Sequence, residues 1–139
     1  MRATRDTFLH FIADNLTQYT VWAVRKSSTD PSRGKLKENA INVQFLTSRP
    51  HVHIASQLVS IDVIHAEELT AVDMTQAVWE LLSSAFYTPK YDYTNPAAPT
   101  LTGQNIYWEK DSVIFRPIDN DPHFMRFNCT MELRSKIES

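Results

Sequence analysis

Glycine is almost absent: Gly34 and Gly103 are the only two in a chain of 139 residues. Neither opens a helix in the spacing of a P-loop, so no glycine-rich cradle for phosphate is present and nucleotide hydrolysis is not expected. Cysteine is scarcer still. Cys129 has no second thiol for an internal disulfide and no histidine near it in sequence to act as its base, so its alternating segment predicts a buried structural thiol. Serine never falls in a GxSxG elbow, and neither HExxH nor CxxC occurs. No apolar run approaches the ~18 residues needed to cross a bilayer, and MRATRDTFLHF lacks a signal peptide's cleavage site, which predicts a soluble, unsecreted protein with no membrane partner.

What is present fits one domain over residues 1–139. At 42% hydrophobic residues, a chain of this length buries roughly two thirds of its unfolded surface. The net charge of −2 argues against a general nucleic-acid binder, and Tyr91-Asp92-Tyr93 beside Lys90 is too poor in positive charge for a single-strand platform. That total conceals polarity along the chain. Residues 1–37 carry seven basic and three acidic groups, residues 38–87 one and six, and residues 88–139 six and seven.

Two segments have helical periodicity. Thr4 or Thr7 is read as the cap of the first, in which Phe8, Phe11, Ile12, Asn15 and Leu16 line one face up to an end near Thr17. In the second, Thr70-Ala71-Val72-Asp73 has the spacing of a capping box. Met74, Val78, Leu81, Leu82 and Ala85 then follow on one face, widened by Trp79 and Phe86 and closed by Pro89. The other segments alternate with period two: Tyr19 to Arg25, Ile41 to Phe45, Asn105 to Trp108, Val113 to Arg116 and, most clearly, Met125 to Leu133. Glu109-Lys110-Asp111 and Asp119-Asn120-Asp121-Pro122 read as hairpin turns. The expected class is α+β, a mainly antiparallel twisted sheet packed by two helices in the order α-β-β-β-α-β-β-β. Two long loops, at about 27–40 and 88–104, interrupt it. The first groups Arg33, Lys35 and Lys37 with Arg25 and Lys26 into a candidate interface with another subunit or partner, at which charge steers docking more than it sets affinity.

RPHVHIASQLVSIDVIHA, residues 49 to 66, holds a histidine pair one residue apart. On a strand His51 and His53 share a face, which suits a metal, but a zinc site needs three or four ligands. Asp62 and His65 reach them only if the strand folds back. Val59, Ile61 and Val63 continue the histidine phase, so one long strand is expected to slip register at a bulge around Ala55 to Gln57. A small metal-dependent α+β enzyme built on His51 and His53 with Asp62 or His65 is the alternative functional reading.

Taken in order, TFLHFIADNL, INVQF, HVHIASQLVSIDVIHAEELTAVDMTQAVWELL and FMRFNCTMELR give a plan that resembles the tail terminator proteins of long-tailed bacteriophages over nearly the full length. The resemblance implies a structural virion protein without catalytic residues or cofactors. It implies a hexameric ring that sits on the last ring of the tail tube, stops tail polymerisation and offers a joining surface to the head connector. Expected partners are further copies of the chain, the tail tube protein and a head-completion or connector protein, with no specific nucleic acid. The expected location is the head-proximal end of the virion tail, reached by assembly in the host cytoplasm. Other head-to-tail connector and tube-associated proteins share related plans. No motif anchors the transfer of individual interface residues.

Overall fold

In the computed structural model, which describes residues 2–24, 36–50, 54–84, 106–119 and 123–136, the chain runs α1 (Arg2–Asn15), β1 (Val21–Val24), β2 (Ala40–Pro50), β3 (Ile54–His65), α2 (Glu68–Ser84), β4 (Ile106–Tyr107), a 3-10 turn (Lys110–Ser112), β5 (Arg116–Ile118) and β6 (Met125–Lys136). The order α-β-β-β-α-β-β-β and the α+β class are as expected from the sequence. Among the described residues six strands form one sheet in the order β1-β2-β3-β6-β4, with β5 also on β6. Every pairing is antiparallel except β1 with β2, which is parallel.

Period-two alternation puts one apolar face of the sheet under both helices. In register across β2, β3 and β6 lie the rows Phe45–Val59–Met131, Val43–Ile61–Cys129 and Ile41–Val63–Phe127. Against them α1 presents Phe8, Phe11, Ile12 and Leu16, and α2 presents Ala71, Met74, Val78 and Leu82, with Leu81 half-buried beside them. Aromatic edges lock the two layers. The Phe8 ring meets Phe45 at 6.3 Å and Trp108 at 5.9 Å, both edge to face, and Phe11 lies 5.7 Å from Trp108. Trp108 also donates its indole N–H to the Leu82 carbonyl at 2.7 Å, satisfying one of the acceptors that the last turn of α2 leaves without an intrahelical partner.

Cys129 is buried in this core, as its segment predicted. Burial pushes its thiol pKa up from 9.0, partly offset by a hydrogen bond with the backbone of Ile114.

Several local expectations are corrected. Helix α1 begins at Arg2, ahead of both threonines read as its cap. Thr7 lies inside the helix, fully buried, and its hydroxyl has no hydrogen-bond partner among the described residues. Asn15, placed on the inward stripe, is exposed and donates back to the Phe11 carbonyl at 2.8 Å. Helix α2 starts two residues before Thr70, and the Glu67 carbonyl accepts from the Ala71 N–H at 2.9 Å. Trp79, assigned to the widened core stripe, is 43% exposed. The run from 49 to 66 is two antiparallel strands, with Pro50 opposite Ala55. The extra residue sits in β2, between Phe45 and Ser48, and β3 keeps one phase from Gln57 to Val63. Glu109-Lys110-Asp111 does not make a hairpin. Lys110 and Asp111 instead enter the 3-10 turn, closed by the Ser112 N–H and hydroxyl on the Glu109 carbonyl at 3.0 and 2.6 Å. The expected strand Val113 to Arg116 starts only at Arg116. Strand β6 is long enough to hold β4 and β5 end to end on one edge, at Arg134–Ser135 and at Arg126–Asn128. Ala85, Phe86, Pro89 and the loop 88–104 lie outside the described residues.

Candidate assembly surface

Of the five basic residues singled out as an interface, Lys37 is described; Arg25, Lys26, Arg33 and Lys35 lie outside the described residues, as do His51 and His53. Lys37 is fixed from below by Asn42, a fully buried side chain on the helix-free face of β2. Asn42 Oδ1 accepts from the Lys37 N–H at 2.7 Å, and Asn42 Nδ2 donates to the Lys37 carbonyl at 2.9 Å. The same Nδ2 reaches the carbonyls of Ala40 and Asp62, each at 3.3 Å. The turn into β2 closes at Asn39, whose φ of 57° is left-handed, a conformation asparagine tolerates better than most residues. Asn39 Oδ1 in turn accepts from the Ala66 N–H at 3.1 Å, tying the turn to the link between β3 and α2. Held this way, the Lys37 ammonium lies 4.5 Å from the centroid of the Trp22 indole on β1. An exposed cation–π contact of that kind contributes ~0.5–1 kcal/mol. Sequence reading found the lysine and missed its partner, because Trp22 was one polar-phase residue of an alternating run.

Trp22 opens a register row across the helix-free face: Trp22, Asn42, Asp62, Asn128 and Arg116 face one another from β1, β2, β3, β6 and β5. Asp62 is buried within it. Its Oδ1 accepts from Arg126 Nε at 2.9 Å and Asn128 Nδ2 at 3.0 Å, and its Oδ2 from the Ser60 hydroxyl at 3.4 Å. Asn128 Nδ2 also donates to Ser60 Oγ at 2.8 Å, so the carboxylate sits in a connected set of partners. That bears on the metal alternative. Asp62 faces away from the helices and is held by a guanidinium, whereas His65 lies on the opposite phase of β3 and accepts the Glu67 N–H on Nδ1 at 3.0 Å. The two side chains named as extra ligands are not brought together.

The helix side carries a feature that sequence reading did not find. Beside the 3-10 turn, the residues Val113, Ile114 and Phe115 run along α2 and with it enclose an open groove of about 520 Å³, lined also by Val72, Trp79 and Phe127. Leu69, Val72, Gln76 and Trp79 recur at i, i+3, i+7, i+10, a second stripe on α2 set off from the buried one. That spacing was the available signal; of the four only Trp79 was read, as part of the core face. No helix among the described residues is long and apolar enough to cross a membrane. No protein-family model matches the chain, and no curated protein matches it.

Proposed function

We propose that the chain is a tail-terminator-like structural protein of a long-tailed bacteriophage, a non-enzymatic subunit that assembles into a hexameric ring on the end of the tail tube. There it stops tube polymerisation and presents the joining surface for the head connector. The observation that supports this reading is the element order with its pairing: a six-stranded mixed sheet with both helices on one face and long β2, β3 and β6 at its centre. The element order is the part of this plan on which the resemblance rests. The segregated charge suits a heterologous ring contact, in which one patch meets a different patch on the next copy. In this reading the basic segment Arg25, Lys26, Arg33, Lys35 and Lys37 steers docking against the acidic part of a neighbour or against the tube. The work site is the head-proximal end of the virion tail.

The test adds the purified protein to polymerising tail tube protein and follows tube length by electron microscopy. Tubes that stop growing with a ring at one end are expected. The triple variant R33S, K35S and K37S is expected to cap more slowly at low salt, with the difference narrowing at high salt, where screening removes the steering from the parent as well. Tubes that grow at the same rate and to the same length with and without the protein sink the proposal.

A further inference from the structure

We propose that the groove between α2 and residues 113–115 receives the β1 edge of a second copy of this chain, with Trp22 as the inserted side chain and Lys37 as its charged flank. Three observations converge on it. The groove is apolar and open: Trp79 is 43% and Ile114 55% exposed at its rim, more aromatic and aliphatic surface than a solvated helix requires. Its α2 wall carries one sign of charge. Residues 66–84 hold Glu67, Glu68, Asp73 and Glu80 without a single lysine or arginine, whereas on the opposite wall Lys110 and Asp111 share the adjoining 3-10 turn and Arg116 follows Phe115. The complementary surface lies elsewhere on the same molecule. Trp22, also 43% exposed, carries the Lys37 ammonium over its ring, and Arg25-Lys26 follow β1 directly in sequence; Glu38 beside Lys37 is the nearest counter-charge in the chain.

Charge also selects among the possible pairings. Two grooves facing each other would oppose acid to acid, which disfavours an isologous dimer through α2. Groove to β1 edge pairs the acidic α2 rim with a basic one and an apolar cleft with an aromatic. The two surfaces sit at opposite edges of the sheet, β1 at one side and β5 with β6 at the other, about 19 Å apart at ~4.8 Å per strand spacing. A contact between different surfaces on opposite edges is head to tail, so it propagates and closes only if its rotation divides a full turn. Closure into a ring rests on the tail-capping reading; the contact itself does not.

The full chain with p-benzoylphenylalanine in place of Trp22, irradiated at high concentration, tests this directly. The expected products are intermolecular adducts on peptides within 68–84 or 113–115 of another copy. Adding Trp79→Asp to the same chain should lower their yield about tenfold, as loss of a central aromatic anchor does; both sites are exposed, and circular dichroism confirms that the variants fold. Absence of intermolecular adducts, adducts mapping to another surface such as a second Trp22 edge, or adducts that form only onto added tube protein overturn the contact. Adducts of the expected kind from open chains that never close refute the ring and leave the contact standing. A closed ring whose adducts map elsewhere does the reverse.

Discussion

The two faces of the central sheet solve burial in different ways. Under the helices, β2, β3 and β6 present aliphatic and aromatic rows, and stability there scales with the apolar area removed from water and with close packing. On the other face, Asn42, Ser60 and Asp62 are equally inaccessible, yet each is polar and tied to named partners on neighbouring strands. The helix face contributes most of the folding free energy. The polar face fixes register, because a shift of one residue would leave a buried carboxylate and a buried amide without partners. A sheet can thus be specified from both sides while only one side drives collapse.

The sharpest way to break that comparison is in the aromatic corner. Phe8→Ala removes a fully buried ring that touches Phe45 and Trp108 and should cost about 3–5 kcal/mol in urea unfolding. Leu82→Ala should cost about 2–5 kcal/mol, and more than Leu81→Ala, since Leu81 keeps part of its surface in water. On the polar face, Asp62→Ala should cost about 1–3 kcal/mol, because Arg126 and Asn128 lose their common acceptor. The double change Asp62→Leu with Arg126→Met should recover much of that loss, as apolar replacements of ion pairs often do; a double variant no better than Asp62→Ala would mean that the row contributes more than register. A smaller effect of opposite sign is expected at Thr7. Its buried hydroxyl has no partner among the described residues, so Thr7→Val should be neutral or stabilising by up to ~1 kcal/mol.

Smallest of all is the pH term at Cys129. Its folded pKa lies above the ordinary 9.0 because burial disfavours the thiolate. The associated stabilisation is therefore complete below pH 9 and is lost as pH rises through the folded value. The same thiol should resist alkylation in the folded protein at pH 8 and react on denaturation; equal rates in both states would contradict its burial.

Much of the apolar face was legible. Phe8, Phe11, Ile12 and Leu16 at helical spacing, and Cys129, Met131 and Leu133 at strand spacing, are in the core where their periods put them. The polar face was not, for a physical reason: period-two alternation assigns a polar residue to solvent, and nothing local to Asn42 or Asp62 reports that strands far away in sequence supply partners. The histidine segment failed similarly. A phase change between Arg49 and Val59 was read as a bulge within one strand, and the cross-strand pairing of Pro50 with Ala55 shows two antiparallel strands. Of the candidate interface only Lys37 lies among the described residues. The basic residues announced themselves by charge, whereas Trp22 and the groove at Trp79 depend on which of two helical stripes and which strand face the core leaves uncovered.

The parallel pairing of β1 with β2 has a consequence for chain length. Val21 faces Ile41 and Val24 faces Gln44, so the polypeptide must leave the far end of β1 and return to the near end of β2 before it can pair. A reversal of that kind is beyond a tight turn and takes a crossover of roughly a dozen residues or more. The stretch from 25 to 39 is therefore as long as its topology demands, whatever else it does. Substitution within it is free to tune charge, but excision is not: removing about eight residues, which leaves less than that crossover length, should detach β1 from the sheet and carry Trp22 with it.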